Sequence, residues 1–347
     1  MAYTTIDKPS DYFETKLYTG TGSEQSITGL DFAPNWVWVK CRSDAENHVL
    51  HDTVRGATKV LHSDTTDGEY TVAQGLKSFN SDGFTLGTSN FMNQSSRTFA
   101  SWNWKAGTSF TNDASSTGIG SIDSAGSVNT DAGFSIVSYT GNSPTATTIK
   151  HGLNSVPQMI IFKRRVGAGN WVTYHQATGN TKALSLNTTA TPDTSAGYFN
   201  NTTPTSSVFS VANSGDTNSN GNAMIAYCFA EKTGYSKFGS YTGNGNSDGV
   251  FVYLGFKPAF VIYKKSSGTE NWFMHDNKRQ GYNPENELLF ADLSNAESTD
   301  NRIDFLSNGF KATSSDGGIN GSGATYIYMA FAENPFVTST GVPATAR

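Results

Sequence analysis

Residues 240–249 read SYTGNGNSDG, residues 138–146 read SYTGNSPTA and residues 17–25 read LYTGTGSEQ. A Tyr-Thr-Gly loop spelled three times marks a repeat, and the flanking text extends the match. After each loop comes a proline and then an apolar segment ending in a basic residue. Pro34 leads into NWVWVK, Pro157 into QMIIFK and Pro258 into AFVIYK, so that Lys40, Lys163 and Lys264 correspond. A second apolar segment follows in each copy: NHVLHDTVRG, NWVTYHQATG and NWFMHDNKRQG. Each copy then closes on a third: TFASWNWKAG, AMIAYCFAEKTG and YIYMAFAENPF.

The three prolines stand 123 and 101 residues apart. Solenoid units run about 20–50 residues, whereas about 100 residues suits a small domain. The spacing therefore predicts three homologous domains, over residues 1–107, 133–235 and 236–347. Between the first two, residues 108–132 are rich in Gly, Ser and Thr and poor in large apolar side chains. Such a stretch cannot bury a core and reads as a linker or an extended arm. The second and third copies are joined directly through EKTGYSKFGSYTG. This predicts a fixed angle between those two and a looser first domain.

Within a copy the signals are those of strands. In NWVWVK, side chains alternate between two faces. Trp36, Trp38 and Lys40 share one, Val37 and Val39 the other. Both faces are largely apolar, as in a central strand covered on two sides. Turns are rich in Gly, Asn and Asp, as in SDG at Ser81 and SNG at Ser307, and these residues tolerate the positive φ of tight turns. No stretch has three turns of amphipathic helix. The expected fold is all-β: three tandem antiparallel β-sandwiches, jelly-roll-like.

Composition narrows the function classes. The 347 residues carry 35 glycines, 12% aromatics, 15% charged residues and a net charge of −5. That charge content is below the about 25% of an average domain. An acidic, charge-poor chain has no general attraction for nucleic acid or anionic membrane. No apolar run approaches the about 18–20 residues that span a bilayer, and the N-terminus lacks the basic start and apolar core of a secretory signal. Cys41 and Cys228 are too few for a disulfide framework or structural zinc site. They read as two buried thiols or as one bridge.

Candidate chemistry is sparse. His51–Asp52 and His275–Asp276 are adjacent on strands, so each pair points to opposite faces and cannot act together. Asp52 with Arg55, and Asp276 with Arg279, repeat one spacing before a turn, readable as a ligand-binding corner or as a local ion pair worth about 0–1 kcal/mol if exposed. NGNSDG at Asn244 begins like a calcium loop but has Gly255 where a bidentate acid is required, and reads as a turn. Trp102, Trp104, Trp171 and Trp272 are candidates for stacking on sugars, or else core. No catalytic residue, metal site or cofactor is expected, and no facing carboxylate pair of the glycosidase kind is indicated.

Several long strings carry a resemblance: AYTTIDKPSDYF at the N-terminus, RGATKVL after Val54, WNWKAG at Trp102, GYSKFGSYTGNG at Gly234 and YIYMAFAENPF near the end. Over essentially the whole chain the sequence resembles repeat-containing structural proteins encoded near tail genes in marine bacteriophages. The resemblance implies a virion protein of the tail or its fibres, or a capsid or neck decoration protein. It implies other virion proteins and copies of itself as partners, with a host-surface glycan or receptor as a further one. It brings no catalytic residues. Assembly inside the host and release by lysis would need no signal peptide.

Overall fold

The computed structural model describes residues 3–344. It is all-β, built from antiparallel sheets with four-residue helices at turns. Each repeat folds four of its strands into an inner sheet with the same order. An opening strand (Phe13–Thr19, Phe134–Thr140, Ser236–Thr242) pairs with the closing strand (Thr98–Trp104, Ala223–Phe229, Thr325–Pro335). The closing strand pairs with a central strand (Trp36–Cys41, Met159–Arg164, Phe256–Lys265). The central strand pairs with a partner strand (Val49–Asp52, Val172–His175, Trp272–Asp276). A small second sheet of two or three strands covers the outer face of each inner sheet.

The alternation in NWVWVK sorts its side chains as expected, and all six residues of Trp36–Cys41 are buried. Val37 and Val39 face the outer layer and join a core local to the first repeat, with Phe84, Leu86 and Phe99. The second and third repeats have their own local cores, around Phe162 and Phe209 and around Phe310 and Tyr263. The opposite faces of all three inner sheets meet in one shared core containing Trp36, Trp104, Met159, Phe229, Phe260 and Phe331. Ring contacts join the repeats pairwise: Trp36 to Tyr227 at 4.5 Å, Phe13 to Phe331 at 5.1 Å and Phe229 to Phe331 at 6.1 Å between centroids. The three sheets thus enclose one apolar axis.

Two expectations are corrected here. Residues 108–132 are not a linker. Thr108–Asn112 and Ser124–Asn129 are strands that extend the second repeat's sheet, paired to each other and then to Phe134–Thr140. Small side chains suffice because backbone hydrogen bonds hold an added edge strand, and Gly126 allows close approach: a Cβ there would lie 2.0 Å from the Ile136 carbonyl oxygen. Nor is the first repeat loose. It supplies Phe13, Trp36, Trp38, Trp102 and Trp104 to the shared core, and burying such rings ties it to both neighbours.

The Tyr-Thr-Gly loop recurs because each copy makes the same lock. Tyr18, Tyr139 and Tyr241 donate to the carbonyls of Met92, Thr217 and Ile319. The next residue in each case is a fully buried asparagine: Asn93, Asn218 and Asn320. Its Oδ1 accepts from the backbone N–H following the loop glycine, at Thr21, Asn142 and Asn244. Its Nδ2 donates back to loop acceptors. The glycine is required by proximity, since a Cβ on Gly20, Gly141 or Gly243 would lie 2.1, 2.3 or 2.4 Å from a backbone oxygen. Replacing Asn218 with alanine leaves several buried loop groups unpartnered. A loss of about 2–3 kcal/mol is expected, read as a lowered urea midpoint, and an unchanged midpoint would refute the lock.

Candidate functional site at the repeat junctions

The residues singled out in the sequence lie at the junctions between repeats. Trp102 and Trp104 are 0% exposed, Trp171 is 0% and Trp272 is 1%. None presents a face to solvent, so the sugar-stacking role is corrected: they are core. Their indole N–H groups explain three of the positions. Trp102 Nε1 donates to Asp276 Oδ2 (3.0 Å), Trp171 Nε1 to the His62 carbonyl (2.6 Å) and Trp272 Nε1 to the Ser185 carbonyl (3.0 Å). Each of these bonds crosses from one repeat to another.

The Asp–Arg corners are corrected likewise. Asp52, Arg55, Asp276 and Arg279 have side chains with no exposure, so they form neither an open ligand corner nor a weak surface pair. Asp52 pairs with the Arg55 guanidinium and accepts from Tyr227 of the second repeat at 2.7 Å. Asp276 pairs with Arg279 at 2.6 Å and accepts from Trp102 of the first. Arg55 Nη2 donates to the Leu50 carbonyl and Arg279 Nη2 to that of Met274, both at 2.8 Å. His51 and His275 point away from these pairs, as strand alternation requires, and each is fully buried.

The ties run round the axis in one direction. Lys40, Lys163 and Lys264 are fully buried at the ends of their central strands. Lys40 donates to the Ser294 carbonyl of the third repeat, Lys163 to Thr66 of the first and Lys264 to Thr189 of the second. Burial lowers each ammonium to about 8. At the level of Trp171 and Trp272, the first repeat has His48. Its Nδ1 accepts from Trp38, so its Nε2–H donates to the Phe290 carbonyl of the third repeat (2.8 Å).

Two junctions carry an added charge network. Glu69 joins Arg55 to Arg165, and Glu297 joins Arg279 to Arg42. At the junction of the second and third repeats every member is replaced together. His175 takes the aspartate position, Thr178 the arginine, Pro192 the glutamate and Ser266 the second arginine. Met329 stands where Trp102 and Tyr227 donate, and the polarity reverses: His175 Nε2 donates to the Tyr328 carbonyl at 3.2 Å. A buried ionic set is lost whole or kept whole, because any unpaired member left behind is costly.

Sequence reading reached the lysines, tryptophans and Asp–Arg pairs but missed Asn93, Asn218 and Asn320. A signal was present: each lies five residues before its closing strand. Cys41 and Cys228 are buried free thiols. In the loop after Gly243, the Asn244 side chain donates to the Asp248 carbonyl and Asp248 pairs with Lys311, which is a turn held by protein partners, Asn320 among them. Among the described residues no three His, Cys, Asp or Glu side chains converge to hold a metal ion, and no helix is long and apolar enough to cross a membrane.

Comparison with known proteins gives one family. A family model described as a domain of unknown function, DUF7483, matches residues 8–335 and so spans all three repeats as one unit. No curated protein and no solved structure matches the chain. The chain belongs to the DUF7483 family.

Proposed function

We propose that this chain is a non-enzymatic structural component of a phage particle, in its tail or tail fibres, working in assembly and in presenting a surface to the host. The observation that carries the reading is the use made of the repeated polar positions. Lys40, Lys163 and Lys264, the indoles of Trp171 and Trp272, and the Asp52 and Asp276 pairs all go into bonds between repeats. What the three copies share is therefore a means of holding shape. Three sheets about one axis also give a single chain the outline of a trimer, suited to a threefold-symmetric neighbour or to copies of itself.

The test is mass spectrometry of purified particles followed by cryo-EM of the same particles. The chain is expected among the virion proteins, with density on the tail or its fibres. Absence from the particle overturns the reading. Density on the neck or capsid surface would make it a connector or decoration protein instead. A second reading, a glycan-binding module of the same particle, is favoured by a pair of exposed aromatics that one strand of the third repeat carries and its counterparts in the other repeats do not. Phe251 and Tyr253 are 46% and 50% exposed, where the corresponding strands of the first and second repeats carry Ser26 and Thr28, and Thr148 and Lys150.

A further inference from the structure

In a body built from three copies, positions that agree serve the common fold, and a feature found in one copy alone invites a separate explanation. The clearest such feature lies where the third repeat meets the first. In the first repeat, one residue (Gly56) separates Arg55 from Ala57, whose carbonyl receives His51 Nδ1–H. In the third repeat Gln280–Pro284 intervene between Arg279 and Glu285, and the buried Nδ1 of His275 has no hydrogen-bond partner. The longer loop carries Tyr282, which is 68% exposed and the most exposed large apolar side chain among the described residues.

This loop walls a cavity of about 130 Å³ together with Lys257, Asn277, Glu285 and Glu333. Asn277 and Glu333 also line an adjoining cavity of about 220 Å³ that reaches Glu14 on the first repeat. Buried oxygens without a hydrogen-bond partner gather here: Glu285 Oε2, Asn277 Oδ1 and Glu14 Oε2. Glu285 is only 4% exposed. Unsatisfied buried acceptors are costly and call for an occupant or a role. The other two junctions differ. Between the first and second repeats the corresponding groove lies against the added strands and is lined by Thr53, Val54, Ser109, Phe110 and Ser127, none of them ionisable. Between the second and third, Gln176 stands in place of Asn277 and its amide donates across the junction to the Phe238 carbonyl.

We propose that the cleft between the third and first repeats binds a neutral saccharide, with a sugar ring stacked on Tyr282 and its hydroxyls bonded to Glu285 and Asn277. An exposed aromatic face beside fixed polar groups suits a ring that has both C–H faces and hydroxyls. Hydroxyl groups donate as well as accept, so they satisfy the waiting oxygens. Lys257 is neutralised by Glu333 at 2.6 Å, and the other lysine, Lys278, lines the adjoining cavity together with Glu14, Asp31 and Glu333, so carboxyls outnumber cations and the cleft does not favour an acidic sugar. Burial and the nearby Asp276 charge raise the Glu285 carboxyl to about 8, so near neutrality it is largely an acid that can also donate. The proposal deepens the glycan-binding reading and is independent of whether the chain is found in a particle.

The test is saturation-transfer NMR on the whole chain with four probes: methyl α-glucoside, methyl α-mannoside, methyl β-galactoside and methyl N-acetyl-β-glucosaminide. Each is used at about 10 mM, enough to occupy most of a site whose Kd is about 1 mM. Transfer to the ring protons of at least one probe is expected. It should fall to background in Tyr282→Ala, an exposed position whose replacement leaves the core intact, and should persist in Tyr253→Ala. Glu285→Gln, checked for folding by circular dichroism, should weaken it. No transfer to any of the four probes overturns the proposal, as does transfer that survives Tyr282→Ala. Particle mass spectrometry is unaffected by either result, so the two readings fail separately.

Discussion

Replacing Asp52 with alanine is expected to lower the unfolding free energy by about 3–5 kcal/mol, the usual cost of stranding one partner of a buried ion pair. Arg55 would keep its backbone acceptor at Leu50 but only one carboxylate, the distant Glu69 oxygen at 3.5 Å, and the Tyr227 hydroxyl would lose its acceptor across the first junction. Asp276→Ala should act in the same direction but cost less, since the Trp102 indole loses its acceptor while Arg279 keeps Glu297 at 3.0 Å. The double replacement Asp52→Leu with Arg55→Met should cost less than the sum of the single ones, because it removes the charge along with its partner. Denaturant unfolding checks both points. The shared core predicts one cooperative transition that moves as a whole. An early, separate transition for the first repeat would show that the repeats fold independently, contrary to the packing about the axis.

Acidification from pH 7 to pH 5 is the second large effect. The chain has six histidines and all are buried. Burial, first among the causes, holds His51 and His275 at about 3, His151 and His175 at about 4, and His48 and His62 below the ordinary 6.5. Hydrogen bonding reinforces this at two junctions. His48 Nδ1 accepts from Trp38 and His175 Nδ1 accepts from the Ala177 N–H, so protonation at Nδ1 breaks a bond. Because these folded-state values are depressed, the unfolded chain takes up protons from pH 6.5 downward while the folded chain does not. Stability is full above 6.5 and is lost as the pH falls toward 4.

Carboxyls work against this. Burial raises Asp64 and Asp292 to about 6 and Glu285 to about 8, so near pH 5 the folded state holds extra protons on these three. The balance favours uptake on unfolding by about two to three protons, or about 3–4 kcal/mol per pH unit near pH 5. For a chain of this size that is a fall in Tm of roughly 5 °C per pH unit. The lysines continue the trend on the alkaline side. Their values of about 8 lie below the ordinary 10.5, so stability rises further between pH 8 and 9. Above that the slope reverses, because burial raises Cys228 and tyrosines such as Tyr18, Tyr139, Tyr227, Tyr235 and Tyr241, which then release protons only on unfolding. Scanning calorimetry from pH 5 to 10 checks the sign, and a flat profile below pH 6.5 would contradict the assignment of neutral, buried histidines.

Much of the fold is legible in the residues themselves. The three Tyr-Thr-Gly loops, the three prolines and the three strand-ending lysines set the repeat. Alternation in NWVWVK, together with Gly- and Asn-rich turns, sets β structure covered on both faces. These are local matters: a strand's period and a turn's φ depend on neighbouring residues, and the sequence by itself determines them. The inward direction of Lys40 is also legible, since it shares a face with Trp36 and Trp38.

What lies on the other side of that face was decided only in three dimensions. An apolar face states that it needs cover without naming the cover, and here the cover is two other copies of the same face. For that reason Trp102 and Trp272 read equally well as exposed platforms or as core until the third sheet closed the axis. For the same reason Asp52 and Arg55 read as a local pair until Tyr227, 175 residues away, supplied the third member. The strands at 108–112 and 124–129 are the opposite case. Their small polar side chains carry little apolar signal, because an edge strand is held by backbone groups that every residue possesses. Composition could exclude a core there but could not exclude a hydrogen-bonded edge, and only the open margin of Phe134–Thr140 made one available.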